Sequence, residues 1–267
     1  MISNSPVMPK ALRWLFAISF VVVPVLNCGA QGQWKRVAIY RFDWAGPGQT
    51  ATAILELPAQ HADPGNFTRL RVRVPGHPEF VLFDKDGLVN FRKENCSFHF
   101  EFCKRKNLIA SNYLLLLPVE GGNPVLFVFG YAYASSPGSL HAIAFGTDGS
   151  PREIFSAKEF DLYDFSDVNS DGMPEIVGKK CLSETLGDSK QTYDPYSVFR
   201  LPKAPATKAV YSLLLSKTYN LKHYYGWAGP NCREDVLVVL HPPGGKKPMI
   251  LPSKEAEKLF TKPSPKK

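Results

Sequence analysis

From Gln33 onward the chain is a succession of short apolar or alternating runs, each cut off by Gly, Pro, Asn or Asp. The runs read "RVAIYRF", "TATAILEL", "RLRVRV", "EFVLF", "LVNF", "YLLLLPV", "PVLFVFGYAYA", "LHAIAF", "REIFSA", "EIVGKKCL" and "YSVFRL". Alternation with a period of two places successive side chains on opposite faces of an extended chain, which is the signature of half-buried strands. Turn formers separate them: "DKDG" (Asp84 to Gly87), "EGGN" (Glu120 to Asn123), "SSPG" (Ser135 to Gly138) and "TDGS" (Thr147 to Ser150). Glycine accepts the positive φ that tight hairpins require. Many short strands joined by tight turns, with no helices between them, predict a mainly β fold of antiparallel, meander or propeller-blade-like sheets.

One segment departs from this pattern. In "TKAVYSLLLSKTYNLKHYYG", Thr207 to Gly226, Val210, Leu214 and Leu221 stand near helical spacing, and Tyr211, Leu215 and Tyr225 widen the stripe. Thr207 can cap the start and Gly226 the end. The spacing predicts one amphipathic helix over about 207–225, its apolar face laid on the sheet. A further helical turn is expected at "SKEAEKLF".

Both ends stand outside the predicted 31–243 domain. Lys10 and Arg13 precede the apolar run "WLFAISFVVVPVL", and "CGA" offers small residues before Gln31. That order reads as a secretory signal over residues 1–30. "VLNC" puts Asn27 where a lipoprotein signal wants a small residue, so cleavage after Ala30 is preferred to lipidation at Cys28. The expected location is secreted or periplasmic, with no membrane span once the signal is removed. Four cysteines then remain: Cys96, Cys103, Cys181 and Cys232. An even number in an exported chain favours two disulfides. Three pairings are open, with Cys96–Cys103 and Cys181–Cys232 preferred.

The net charge of +8 suggests an anionic partner, but its distribution argues against nucleic acid. Residues 244–267 hold seven lysines against Glu255 and Glu257, and the signal carries two further cations, so the body is close to neutral. Phosphate binding needs a basic footprint across a folded face. A lysine- and proline-rich end is expected to be a largely flexible tail.

The stretch with the most chemistry is "DVNSDGMPEIV", Asp167 to Val177. Counting from Asp167, positions one, three and five are Asp167, Asn169 and Asp171, six is Gly172, seven is Met173 and nine is Glu175. Calcium takes about six to eight oxygens at roughly 2.3–2.6 Å. Alternating oxygens on a coiled loop, with the Met173 carbonyl added, supply that kind of shell, and Glu175 can join directly or through water. An ion-free Asx-rich turn is the alternative, because the same residues favour turns for local reasons. Position twelve is Gly178, where an EF-hand needs glutamate.

Asp167, Asn169, Asp171, Gly172, Glu175, Ile176 and Val177 resemble the calcium loop of FG-GAP or VCBS repeats, found in integrin α-chain propellers. The resemblance implies calcium, an extracytoplasmic setting and a loop between strands. More loosely it covers Pro124 to Leu182, where three hairpin-linked strands before the loop and one after would make a blade. Only one full loop is present, so a propeller and a smaller sheet assembly both stay open.

Elsewhere, Tyr224, Tyr225 and Trp227 in "KHYYGWAGPNC" form a candidate platform for a sugar or peptide, or dock the helix end to the sheet. The histidines show no short metal-ligand spacing, and no nucleophile elbow or H-E-x-x-H pattern occurs. The expected function is an exported calcium-binding module of the envelope or extracellular space with a protein or glycan partner. The alternative is a secreted or periplasmic hydrolase built from distant loops.

Overall fold

The structure, a computed structural model, describes residues 34–60, 66–89, 109–110, 114–117, 119, 122–130, 138–180, 192–202, 208–223, 237–240, 247–252, 254–256 and 258. The leader, all five cysteines and the Tyr224, Tyr225 and Trp227 platform lie outside the described residues, and so do both preferred disulfides.

The chain is mainly β, as its alternation predicts. The strands are β1 (Trp34–Asp43), β2 (Thr50–Pro58), β3 (Phe67–Arg73), β4 (Phe80–Val89), β5 (Ile109–Ala110), β6 (Leu115–Leu117), β7 (Val125–Gly130) and β8 (Ser139–Phe145). They continue as β9 (Pro151–Lys158), β10 (Phe160–Ser166), β11 (Glu175–Lys180), β12 (Thr192–Tyr193), β13 (Ser197–Arg200) and β14 (Val210–Tyr211). Helix α1 (Leu213–His223) follows, then β15 (Leu237–Leu240) and β16 (Met249–Pro252). Among the described residues, pairing is antiparallel apart from the short parallel contact of β12 with β15.

Three sheets result. The first runs β1-β2-β3-β4-β7-β6-β5, and β8 leaves the other margin of β7 to carry β9. The second is β10-β11-β13-β14 and the third β12-β15-β16. The four strands expected as one blade therefore divide: β7, β8 and β9 stay in the first sheet, and β11 belongs to the second. The second sheet is itself a four-stranded antiparallel meander.

The second sheet is the middle layer. Its inner residues Phe160, Leu162, Phe165 and Ile176 pack against Phe127, Leu140 and Phe155 of the first sheet. Phe127 and Phe165 meet edge to face with centroids 5.5 Å apart. On its other side Val177 and Val198 pack with Leu215, Tyr219, Val238 and Ala256. Ile176 and Val177 are adjacent, fully buried, and belong to different cores, as the period of two demands. A register irregularity between Leu162 and Asp164 shifts the phase of β10. Phe165 thereby points inward where Asp164 would otherwise have done so.

"DKDG" does not make a hairpin. Phe67 pairs Leu88 while Arg69 pairs Phe83, so Asp84 to Gly87 bulge out within the single strand β4. Gly87 takes φ 90°, and the Asp84 carboxylate accepts the Asp86 N–H at 2.9 Å. The expected helix is shorter than 207–225, because β14 occupies Val210–Tyr211.

Its orientation also differs from expectation. Leu215, Ser216, Tyr219 and Asn220 are buried, whereas Leu213, Leu214 and Leu221 are exposed. β13 explains the inversion. Beyond its contact with β14 at Phe199 and Arg200, that margin of β13 has no strand beside it among the described residues. Ser216 Oγ accepts the Val198 N–H at 2.9 Å, and the Val198 carbonyl accepts Ser212 N–H at 2.8 Å. Asn220 answers both backbone groups of Tyr196. Buried backbone polar groups need partners, so the helix turns its amide and hydroxyl inward and its leucines outward. Met249–Pro252, within the segment expected as a tail, pairs along β15 as β16.

Candidate metal site

The loop 167–174 connects β10 and β11, and Ser166 facing Glu175 is the last pair of that hairpin. Its shape follows from its side chains. Asp167 accepts the Asp171 N–H on one oxygen at 3.0 Å and the Gly172 N–H on the other at 2.8 Å. Asn169 Oδ1 accepts the same Asp171 N–H at 2.9 Å, and Asp171 Oδ1 accepts the Met173 N–H at 2.9 Å. Asn169 Nδ2 donates to Asp171 Oδ2 at 2.9 Å. Positions one, three and five thus nest successive turns of the chain, an arrangement Asp and Asn form locally. Ser170 and Gly172 carry the positive φ values, 60° and 84°, that the coil requires.

Glu175 closes the loop from the strand side. Its Oε2 accepts the Val168 N–H at 2.8 Å, and the residue is 1% exposed. Burial pushes its carboxyl up, the Val168 amide opposes that, and the charges of Asp171 and Asp167 push it up again. A buried carboxylate held among other carboxylates is a site where a cation relieves both desolvation and repulsion. Asp161 and Asp164, which could have extended the shell, stay on β10 opposite Lys179 and Val177.

Among the described residues, no three His, Cys, Asp or Glu side chains gather in an arrangement that would hold a metal ion. That holds for Asp167, Asp171 and Glu175 as well, so what the loop offers is a donor set close in sequence: two aspartates, a glutamate, an asparagine oxygen and the Met173 carbonyl. A carboxylate oxygen that accepts one N–H keeps a lone pair for a second partner. The Asp167 and Asn169 oxygens already meet on a single amide. In chemical type and spacing the residues fit a hard, oxygen-seeking cation.

Nothing in the residues around Arg200 points to a place at this loop. Register sets it on β13 directly opposite Glu175, and its guanidinium lies 3.6 Å from Asp171 Oδ2. Twenty-five residues separate Arg200 from Glu175 in sequence, so only strand order could disclose it.

A second polar cluster likewise depends on strand order. His141 on β8 has Nδ1 2.9 Å from Glu153 Oε1 and 3.2 Å from Ser156 Oγ, and Nε2 3.6 Å from Asp84 Oδ2. Ser139 Oγ donates to the same Asp84 oxygen at 2.7 Å. Burial opposes charging of the imidazole, but the two carboxylates outweigh it and raise His141. Chiefly through His141, Asp84 is held down at about 2. The cluster pins the β4 bulge to β8 and β9.

No protein-family model matches the chain, and no curated protein or solved structure does so either.

Proposed function

We propose that the chain is an exported calcium-binding β protein that serves as a binding or structural module of the cell envelope or extracellular space. The observation that carries this reading is the nested loop between β10 and β11. Asp167, Asn169 and Asp171 are already bent around successive backbone amides, and buried Glu175 closes the ring. Asp167, Asn169, Asp171, Met173 and Glu175 would hold the ion, and the ion would neutralise their crowded charge. Because the loop ties a hairpin whose next residues, Ile176 and Val177, enter two cores, an ion there stiffens the middle layer. The partner expected outside the cytoplasm, a protein or glycan, belongs to the same proposal.

Titration calorimetry of calcium into chelator-treated protein, paired with thermal melts, tests it. Binding at one hundred times Kd adds about 2.7 kcal/mol of stability. Asp171→Ala should remove both the heat and the rise in Tm. Absence of heat and of any rise in the parent chain overturns the proposal.

A further inference from the structure

We infer that the outward face of α1 docks on an anionic lipid surface, with its leucines entering the interface and its lysines meeting the headgroups. This is independent of the calcium reading.

The inward turn of Ser216 and Asn220 leaves an apolar strip in water. Leu213 is 66% exposed, Leu214 71%, Leu221 46% and neighbouring Val210 65%. At about 100° per residue, Leu214 and Leu221 lie along the centre of the outward arc, with Lys217 and Lys222 on its flanks. Contiguous exposed apolar residues mark a contact surface, whereas isolated ones need no explanation.

Charge selects the occupant. Residues 208–223 contain Lys208, Lys217, Lys222 and His223 and no acid. A second copy packed on this face would set lysine against lysine. A convex single helix offers a globular partner no groove, but it suits a planar interface, where leucines descend and lysine stems reach up to phosphate. The helix, about 17 Å long, lies on such a surface. No described helix is long and apolar enough to cross a membrane.

The test places a reporter at the centre of the strip, so that neither the leader nor the basic tail contributes to the reading. In full-length Leu214→Trp, the added emission should shift blue and be quenched by phosphatidylglycerol vesicles brominated in their acyl chains. Phosphatidylcholine vesicles should quench it far more weakly. Lys208→Gln with Lys222→Gln should weaken binding to the anionic vesicles by about thirty-fold. Leu213→Ser with Leu221→Ser should abolish quenching at unchanged Tm. Added emission that stays unshifted at saturating vesicles, or equal quenching by both lipids, overturns the inference. A blue shift that follows protein concentration or an added acidic protein, and not the vesicles, assigns the face to another occupant and likewise overturns it.

Discussion

Asn220 Nδ2 donates to the Tyr196 carbonyl at 2.7 Å while its Oδ1 accepts the Tyr196 N–H at 2.9 Å. One side-chain amide thus satisfies both backbone groups of a strand-end residue, as a neighbouring strand would. Asn220→Ala removes both of these bonds at a buried position, and the expected loss is about 2–3 kcal/mol. Ser216→Ala, which frees only the Val198 N–H, should cost about 1 kcal/mol. Urea melts of the two variants check the order; equal losses would contradict this account of the helix.

Glu175→Gln separates charge from shape at the loop. The amide oxygen can still accept the Val168 N–H, but the buried charge beside Asp167 and Asp171 is gone. In chelator the variant should be more stable than the parent by about 1 kcal/mol, or about 2–4 °C in Tm. It should also lose most of the stabilisation that calcium confers. A drop in chelator would show that the carboxylate is not under strain.

The two glycines of the hairpin should respond differently to alanine. A Cβ at Gly178 would collide with the Asp161 carbonyl and the Phe160 ring, neither of which can retreat, so Gly178→Ala should cost about 2–3 kcal/mol. Gly172 has open space around it, and only its φ of 84° resists a side chain. Its alanine variant should lose about 1 kcal/mol. Denaturant midpoints distinguish them.

Stability should fall on both sides of a mildly acidic plateau. His141 is raised in the folded state, so its contribution is complete below its ordinary value of about 6.5 and fades as pH climbs through the folded one. Asp84, held at about 2, contributes above its ordinary value of about 3.9 and fails as pH drops toward 2. Melts from pH 2 to 9 should show the plateau between roughly pH 4 and 6.5. His141→Gln should flatten the alkaline limb; a variant that keeps that limb places its origin elsewhere.

The β character was legible because alternation is a local property, and the "TDGS" turn falls where its residues place it. "DKDG" misled because Asp-Gly is equally at home in a bulge: which one forms depends on whether the next run pairs with the last one or with a third strand. The α1 stripe misled for a comparable reason. Helical spacing identifies an apolar face but not which face is buried, and here the unmet amides of β13 outweighed three leucines. The order of oxygens in the loop was readable, since nested turns are built from near neighbours. Arg200 beside Asp171, and Asp84 beside His141, depend on strand order, which no short window contains.

The way α1 seals β13 has a consequence for how these molecules behave in a crowd. A bare strand margin is a template on which another chain can extend the sheet, and β proteins that leave one open are prone to cross-strand aggregation. Here that template is blocked by a hydroxyl and an amide, on a helix that cannot itself be continued as a strand. Variants at Ser216 or Asn220 therefore put solubility at risk as well as stability.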